Sequence, residues 1–133
     1  VFALAANNIT TVSAINMNGT SITGTGTITL SGNISTTSSS ATSLISAPIN
    51  LGGATRTFIV DDSPAIIPDL NIASVITGTG GIVKSGLGLM DIANAGNAYS
   101  GSTNVNIGTL RVAAVGGAIP NPSAVIVNST LDL

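Results

Sequence analysis

An all-β chain of stacked strands, a β-solenoid of roughly six coils, is the fold this sequence predicts, with a β-sandwich as the alternative. Three observations predict it. Short runs alternate apolar and polar residues, the period of a half-buried strand. Glycine or proline punctuates nearly every run. Two-residue hairpin turns of the Asn-Gly kind, flanked by alternating runs, occur once, at Asn18-Gly19, whereas most links are longer glycine or proline corners that suit coiling. The stretch Gly78 to Val112 concentrates all three features.

Taken in order, Ile9 to Ile15 is a short strand candidate, followed by the turn-like Asn16 to Thr20. Ser21 to Ser31 reads as the cleanest strand, with Ile22, Gly24, Gly26, Ile28 and Leu30 on one face and Thr23, Thr25, Thr27 and Thr29 on the other. That threonine row is an ordinary solvated face, since no other segment repeats it. Ser35 to Ser43 is a low-complexity polar loop. Strands then recur at 43–46, 48–51, 55–60 and 70–76, and in the last third at 81–83, 89–92, 103–107, 109–112, 124–127 and 130–133. Gly52-Gly53, the Asp61 to Pro64 run and the glycines from Gly78 to Gly81 separate them. No capped window of helical period interrupts the series, and 113–119 is too rich in glycine to form one. A coil of about 20 residues stacked at about 4.8 Å gives a rod section about 30 Å long.

Composition narrows the function classes. The 133 residues suit a single domain spanning 1–133, and 44% of them are hydrophobic, enough for a sizeable core. That core is aliphatic, because the aromatic residues are Phe2, Phe58 and Tyr99 alone. Three basic residues, Arg56, Lys84 and Arg111, cannot build the phosphate-neutralising stripe of a nucleic-acid binder or a polybasic membrane patch. With no cysteine there is neither a disulfide framework nor a thiolate metal site. No apolar run approaches the ~20 residues of a membrane-spanning helix, and a transmembrane barrel would need aromatic girdles. We therefore expect no nucleic acid and no membrane insertion of this segment. Val1 in place of Met and the open in-out pattern at Thr130 to Leu133 are expected of a piece of a longer protein or of one that lost a leader.

Gly80-Gly81-Ile82, Lys84, Gly86, Gly88, Met90 and Ile92, followed by Asn97, Tyr99-Ser100-Gly101, Thr103, Val105, Gly108-Thr109-Leu110 and Val112, resemble the autotransporter-associated β-strand repeat, also called the passenger-associated transport repeat. Leu89 stands where that family has threonine, and Asp91 where it has a neutral polar residue, both on the expected outward face. The resemblance covers 78–112, about a third of the chain, and the segments 51–60 and 122–133 are similar to its usual flanks. It implies a right-handed parallel β-helix in a secreted or surface-exposed bacterial protein. It supplies no catalytic residue to carry over.

Candidate sites are few. Asp61, Asp62 and Asp69 are the acidic cluster, and carboxylates with backbone oxygens make them weak calcium candidates, although the glycine-rich nonapeptide calcium pattern is absent. A catalytic role for them lacks a partner, since the chain has neither histidine nor glutamate. No catalytic residue and no cofactor is expected. Lys84 reads as a solvated lysine beside a glycine corner, and Tyr99 as stacking in a turn. The Asn-x-Ser/Thr sequons at Asn8, Asn18, Asn33 and Asn128 are common by chance in so Asn- and Thr-rich a chain.

The expected function is that of a non-enzymatic structural protein of the bacterial cell surface or extracellular space. It is either a stalk segment or a subunit that stacks head-to-tail into a filament through its terminal strands or coils, giving a homopolymer. Residues 1–8 read as an extension that adds as a strand to a neighbour. The alternative is an adhesin whose face or Ser/Thr loop recognises carbohydrate or a host surface, a reading weakened by the scarcity of aromatic platforms.

Overall fold

The computed structural model describes residues 1–4, 9–116, 118–120 and 123–133. Among them the chain is all strand and corner, with no helix. The first coil carries β1 (Phe2–Leu4), β2 (Ile9–Val12) and β3 (Ile15–Met17). The second carries β4 (Ser21–Gly24), β5 (Ile28–Leu30) and β6 (Ile34–Thr36), and the third β7 (Ser43–Ile45), β8 (Ile49–Asn50) and β9 (Arg56–Val60). Then come β10 (Leu70–Ile72), β11 (Ile76–Gly78) and β12 (Ile82–Ser85), followed by β13 (Leu89–Ile92), β14 (Ala98–Tyr99) and β15 (Thr103–Val105). The last strands are β16 (Thr109–Val112), β17 (Val125–Val127) and β18 (Thr130–Asp132).

Every third strand returns to the same sheet as far as β16; no second-sheet strand follows β14 among the described residues, so β17 and β18 each return after two. The first sheet runs β1-β4-β7-β10-β13-β16-β18, the second β14-β11-β8-β5-β2 and the third β17-β15-β12-β9-β6-β3. All the ladders are parallel. This is a parallel β-solenoid of about 6 turns, and the sandwich alternative is not formed. The expected coil length holds where Phe2 pairs with Ile22, Leu70 with Met90 and Leu89 with Thr109. It stretches where Leu70 pairs back to Ser43, because residues 61–69 bulge from the corner between β9 and β10.

The alternation that predicted strands becomes a set of vertical columns, because parallel in-register pairing stacks each inward side chain on its counterpart one coil away. On the first sheet the column runs Phe2, Ile22, Ile45, Ile72, Ile92, Val112. On the second it runs Ile28, Ile49, Ile76. On the third it runs Ile15, Ile34, Phe58, Lys84, Val105, Val127. The aliphatic residues of the middle coils are fully buried. At about 25 cal/mol per Å² of apolar surface removed from water, these columns are the main favourable contribution to the fold.

Several elements differ from the sequence reading. The strand expected over 21–31 is two strands, β4 and β5, on different sheets with a corner at Thr25 to Thr27, so the threonine row is not one face. The alternation continues through the corner, which hides the break from a period-two reading. The same happens over 70–76, where Ala73 to Val75 turn the chain, while over 9–15 the two-residue corner at Ser13 and Ala14 shifts the inward phase from Val12 to Ile15. Asn18-Gly19 joins β3 to β4 on separate sheets and closes no hairpin. The loop expected over 35–43 starts and ends in strand, with Thr36 and Ser43 buried. Within the expected extension, Phe2–Leu4 is the outer strand of the first sheet, paired with β4, and residues 5–8 lie outside the described residues.

Candidate functional site: a polar corner in an aliphatic core

The third-sheet column breaks its apolar pattern once, at Lys84. Ile82 faces inward, so Lys84, two residues on, does too, and it is completely buried between Phe58 and Val105. The expectation of a solvated lysine is therefore overturned. Its stem lies in the core, and its Nζ donates to the carbonyls of Ser85 at 3.0 Å, Gly86 at 2.7 Å and Ile107 at 3.1 Å. Three acceptors match the three donors of an ammonium group. Burial pulls the pKa of Lys84 down to about 8, against the opposing pull of the Asp69 charge.

Glycine makes this corner possible. Gly86 and Gly108 hold φ of 78° and 75°, a conformation side-chain-bearing residues rarely adopt. A Cβ on Gly108 would sit 2.3 Å from the Gly86 carbonyl oxygen and 2.8 Å from Lys84 Nζ. The wall of the corner is thus backbone laid directly against the ammonium.

Asp69 occupies the same edge of the solenoid. It is 5% exposed, its Oδ1 accepting the Ser63 N–H and its Oδ2 the Leu89 N–H, each at 2.8 Å. The Ser63 hydroxyl in turn accepts the N–H of Ser39 at 3.1 Å. Asp61 and Asp62, by contrast, are exposed. The three calcium candidates do not form a metal-holding group; none of three or more such side chains exists among the described residues.

Elsewhere the polar residues do similar work. Asn97, 8% exposed, takes the Ile76 N–H on its Oδ1 and donates from Nδ2 to the Ala118 carbonyl, both at 2.8 Å, which ties three successive coils together. Arg56 donates to the carbonyls of Leu51 and Ser31 at 2.9 and 2.7 Å. Arg111 grips Asp91 with two bonds of 2.7 and 2.6 Å. Asp91 does point outward as expected, yet the guanidinium covers it to 4% exposure. Tyr99 lies in strand β14 and not in a turn, 1% exposed, with its hydroxyl 2.6 Å from that of Thr103. Burial raises its pKa, partly offset by the Thr103 bond.

The sequons are engaged in the same way. Asn18 donates to Thr37 and Ser38, Asn33 accepts from Thr57, and Asn128 donates to Asn106. Asn8 lies outside the described residues. At the far end of the stack, Val112, Ala118, Ile119, Val125, Leu131 and Leu133 line an open apolar cleft of about 360 Å³. The chain matches no protein-family model, no curated protein and no solved structure.

Sequence reasoning missed Lys84 and Asn97 as buried residues. The signal for Lys84 was its phase, two residues after an inward isoleucine. For Asn97 it was position: one coil after Ile76 it takes the place isoleucine holds in the second-sheet column.

Proposed function

We propose that this chain is a structural segment of a bacterial surface or extracellular β-helix, in which one coil layer is covered by another. The segment is part of a stalk or of a fibre of copies stacked head-to-tail. The observation that carries this reading is where the polar chemistry goes. Asp69, Lys84, Asn97, Arg56 through Ser31, and the Arg111–Asp91 pair each bond from one coil to the next, and none of them converges on an open pocket. Side chains used in this way hold a rod together.

Two further features support it. The repeat-like pattern over 78–112 resembles segments of long exported passengers. The end cleft is apolar and open, and around it the last strands leave Val125, Ile126, Val127 and Leu133 each more than two-fifths exposed, the kind of surface a further coil covers. A net charge of -2 offers little repulsion between ends.

The test is light scattering after size exclusion, with negative-stain imaging, over a range of protein concentrations. End-to-end oligomers or filaments are expected, and Leu133→Asp, at an exposed position, should reduce them while leaving the fold intact. Monodisperse monomers at every concentration would overturn the stacking reading, and binding to a glycan array by those monomers would establish the adhesin instead.

A further inference from the structure

The lysine in the core and the carbonyls around it form a bounded site. We propose that the carbonyls of Ser85, Gly86 and Ile107 are a cage for a primary ammonium, which the chain fills in cis with Lys84.

Position is the first argument. The column that holds Lys84 is otherwise Ile15, Ile34, Phe58, Val105 and Val127, so packing alone is satisfied by an apolar residue. An ammonium placed in such a column is tolerated only where it is fully hydrogen-bonded. Here it is, with three carbonyl oxygens between 2.7 and 3.1 Å from one nitrogen. Two oxygens come from the last residue of β12 and the corner that follows it, and the third from the corner one coil further on. The filled cage therefore joins two coils through a cation.

Geometry and charge set its selectivity. Gly108, which leaves no space for a Cβ beside Nζ, closes one side. Asp69 is the charged group that acts on the lysine, and it favours a cation in the cage. A primary ammonium presents three N–H donors to three acceptors, whereas a quaternary ammonium presents none and is too wide. The ligand class is thus a small primary ammonium, with a desolvated potassium ion as the competing occupant of a carbonyl cage.

Truncating Lys84 to alanine empties the cage by the atoms of propylammonium. The experiment is the thermal unfolding of Lys84→Ala with n-propylammonium chloride, potassium chloride, tetramethylammonium chloride or 1-propanol, at matched concentration and ionic strength. A saturable rise in the midpoint with propylammonium, absent in the wild-type chain and with tetramethylammonium, is expected. An equal rise with propanol would mean that only the apolar space matters, and an equal rise with potassium would mean a general cation site; either overturns the proposal, as does no rise at all.

Should Lys84→Ala fail to fold, Lys84→Cys provides the second arm, since the chain has no other cysteine. Alkylation in denaturant with 2-bromoethylamine rebuilds a side chain of lysine length that ends in an ammonium. Alkylation with 1-bromopropane builds one of similar length with no charge. Refolding of the first product alone supports the cage, and equal refolding of both refutes it.

Discussion

Asn97 accepts the backbone N–H of Ile76 through its Oδ1 at 2.8 Å, across a coil boundary, from the place where isoleucines stand in the preceding coils. Its amide nitrogen reaches forward to Ala118. One side chain therefore replaces hydrophobic stacking with two directed bonds at the level of β14, where the second sheet ends. Asn97→Ala leaves a buried N–H and a buried carbonyl without partners. At about 1–3 kcal/mol for each orphaned group, a loss of several kcal/mol in denaturant unfolding is expected, and Asn97→Leu should recover little of it. Wild-type stability in Asn97→Leu would show that packing, not bonding, governs this position.

The pH dependence of stability follows from Lys84 and Tyr99. In the unfolded chain lysine keeps its proton to about pH 10.4, while in the fold Lys84 releases it near 8. Between those values the unfolded state binds more protons, so stability rises with pH across that window. Tyr99 acts in the opposite sense, because its raised pKa means that the folded state holds the proton longer above pH 10. Chemical denaturation at intervals from pH 7 to 11 should therefore show stability climbing from about pH 8 and turning down above 10. Lys84→Met should abolish the climb, and Tyr99→Phe should soften the decline.

Arg111 and Asp91 are unequal partners, their side chains alone 34% and 6% exposed respectively. Removing the arginine strands a covered carboxylate, while removing the aspartate frees a cation that water already reaches. Arg111→Ala should therefore cost more than Asp91→Ala, with the coupling in a double-mutant cycle on the order of 1 kcal/mol. Equal single-mutant losses would contradict this asymmetry.

Gly108→Ala should be among the most damaging single-methyl changes available. The backbone there is left-handed and the added carbon meets the Gly86 carbonyl at 2.3 Å. A loss of about 3 kcal/mol or more in thermal or denaturant unfolding is expected, since strain and clash add. Gly53→Ala is the control, because its Cβ would meet only Thr79 Oγ1, at 3.9 Å.

Strand content was legible in the sequence because alternation and glycine spacing are local. Leu89–Ile92 and Thr109–Val112 form strands with the bounds the pattern indicates, each set off by a glycine just before it. Corners such as Thr25 to Thr27 were not legible, since a three-residue corner preserves the alternating phase on either side. Residue type favours solvent for Lys84 although its phase points inward, and the carbonyls that reverse the preference come from tertiary context. Proximity in sequence groups Asp69 with Asp61 and Asp62, and the bulge over 61–69 separates them by carrying two outward and one inward. Asn97 could be recognised only by aligning successive coils, which requires knowing their length.

The three-sheet stack also sets how the molecule comes apart. Every ladder among the described residues joins a strand to its counterparts one coil away, so each coil is held chiefly by its immediate neighbours. Protection of amide hydrogens against exchange is then a gradient along the axis: slowest at Ile49, Ile76 and Ile82 in the middle coils, fastest at β1 and β18. Melting proceeds as fraying from the ends, and each layer added to an end deepens the shelter of every layer inside it.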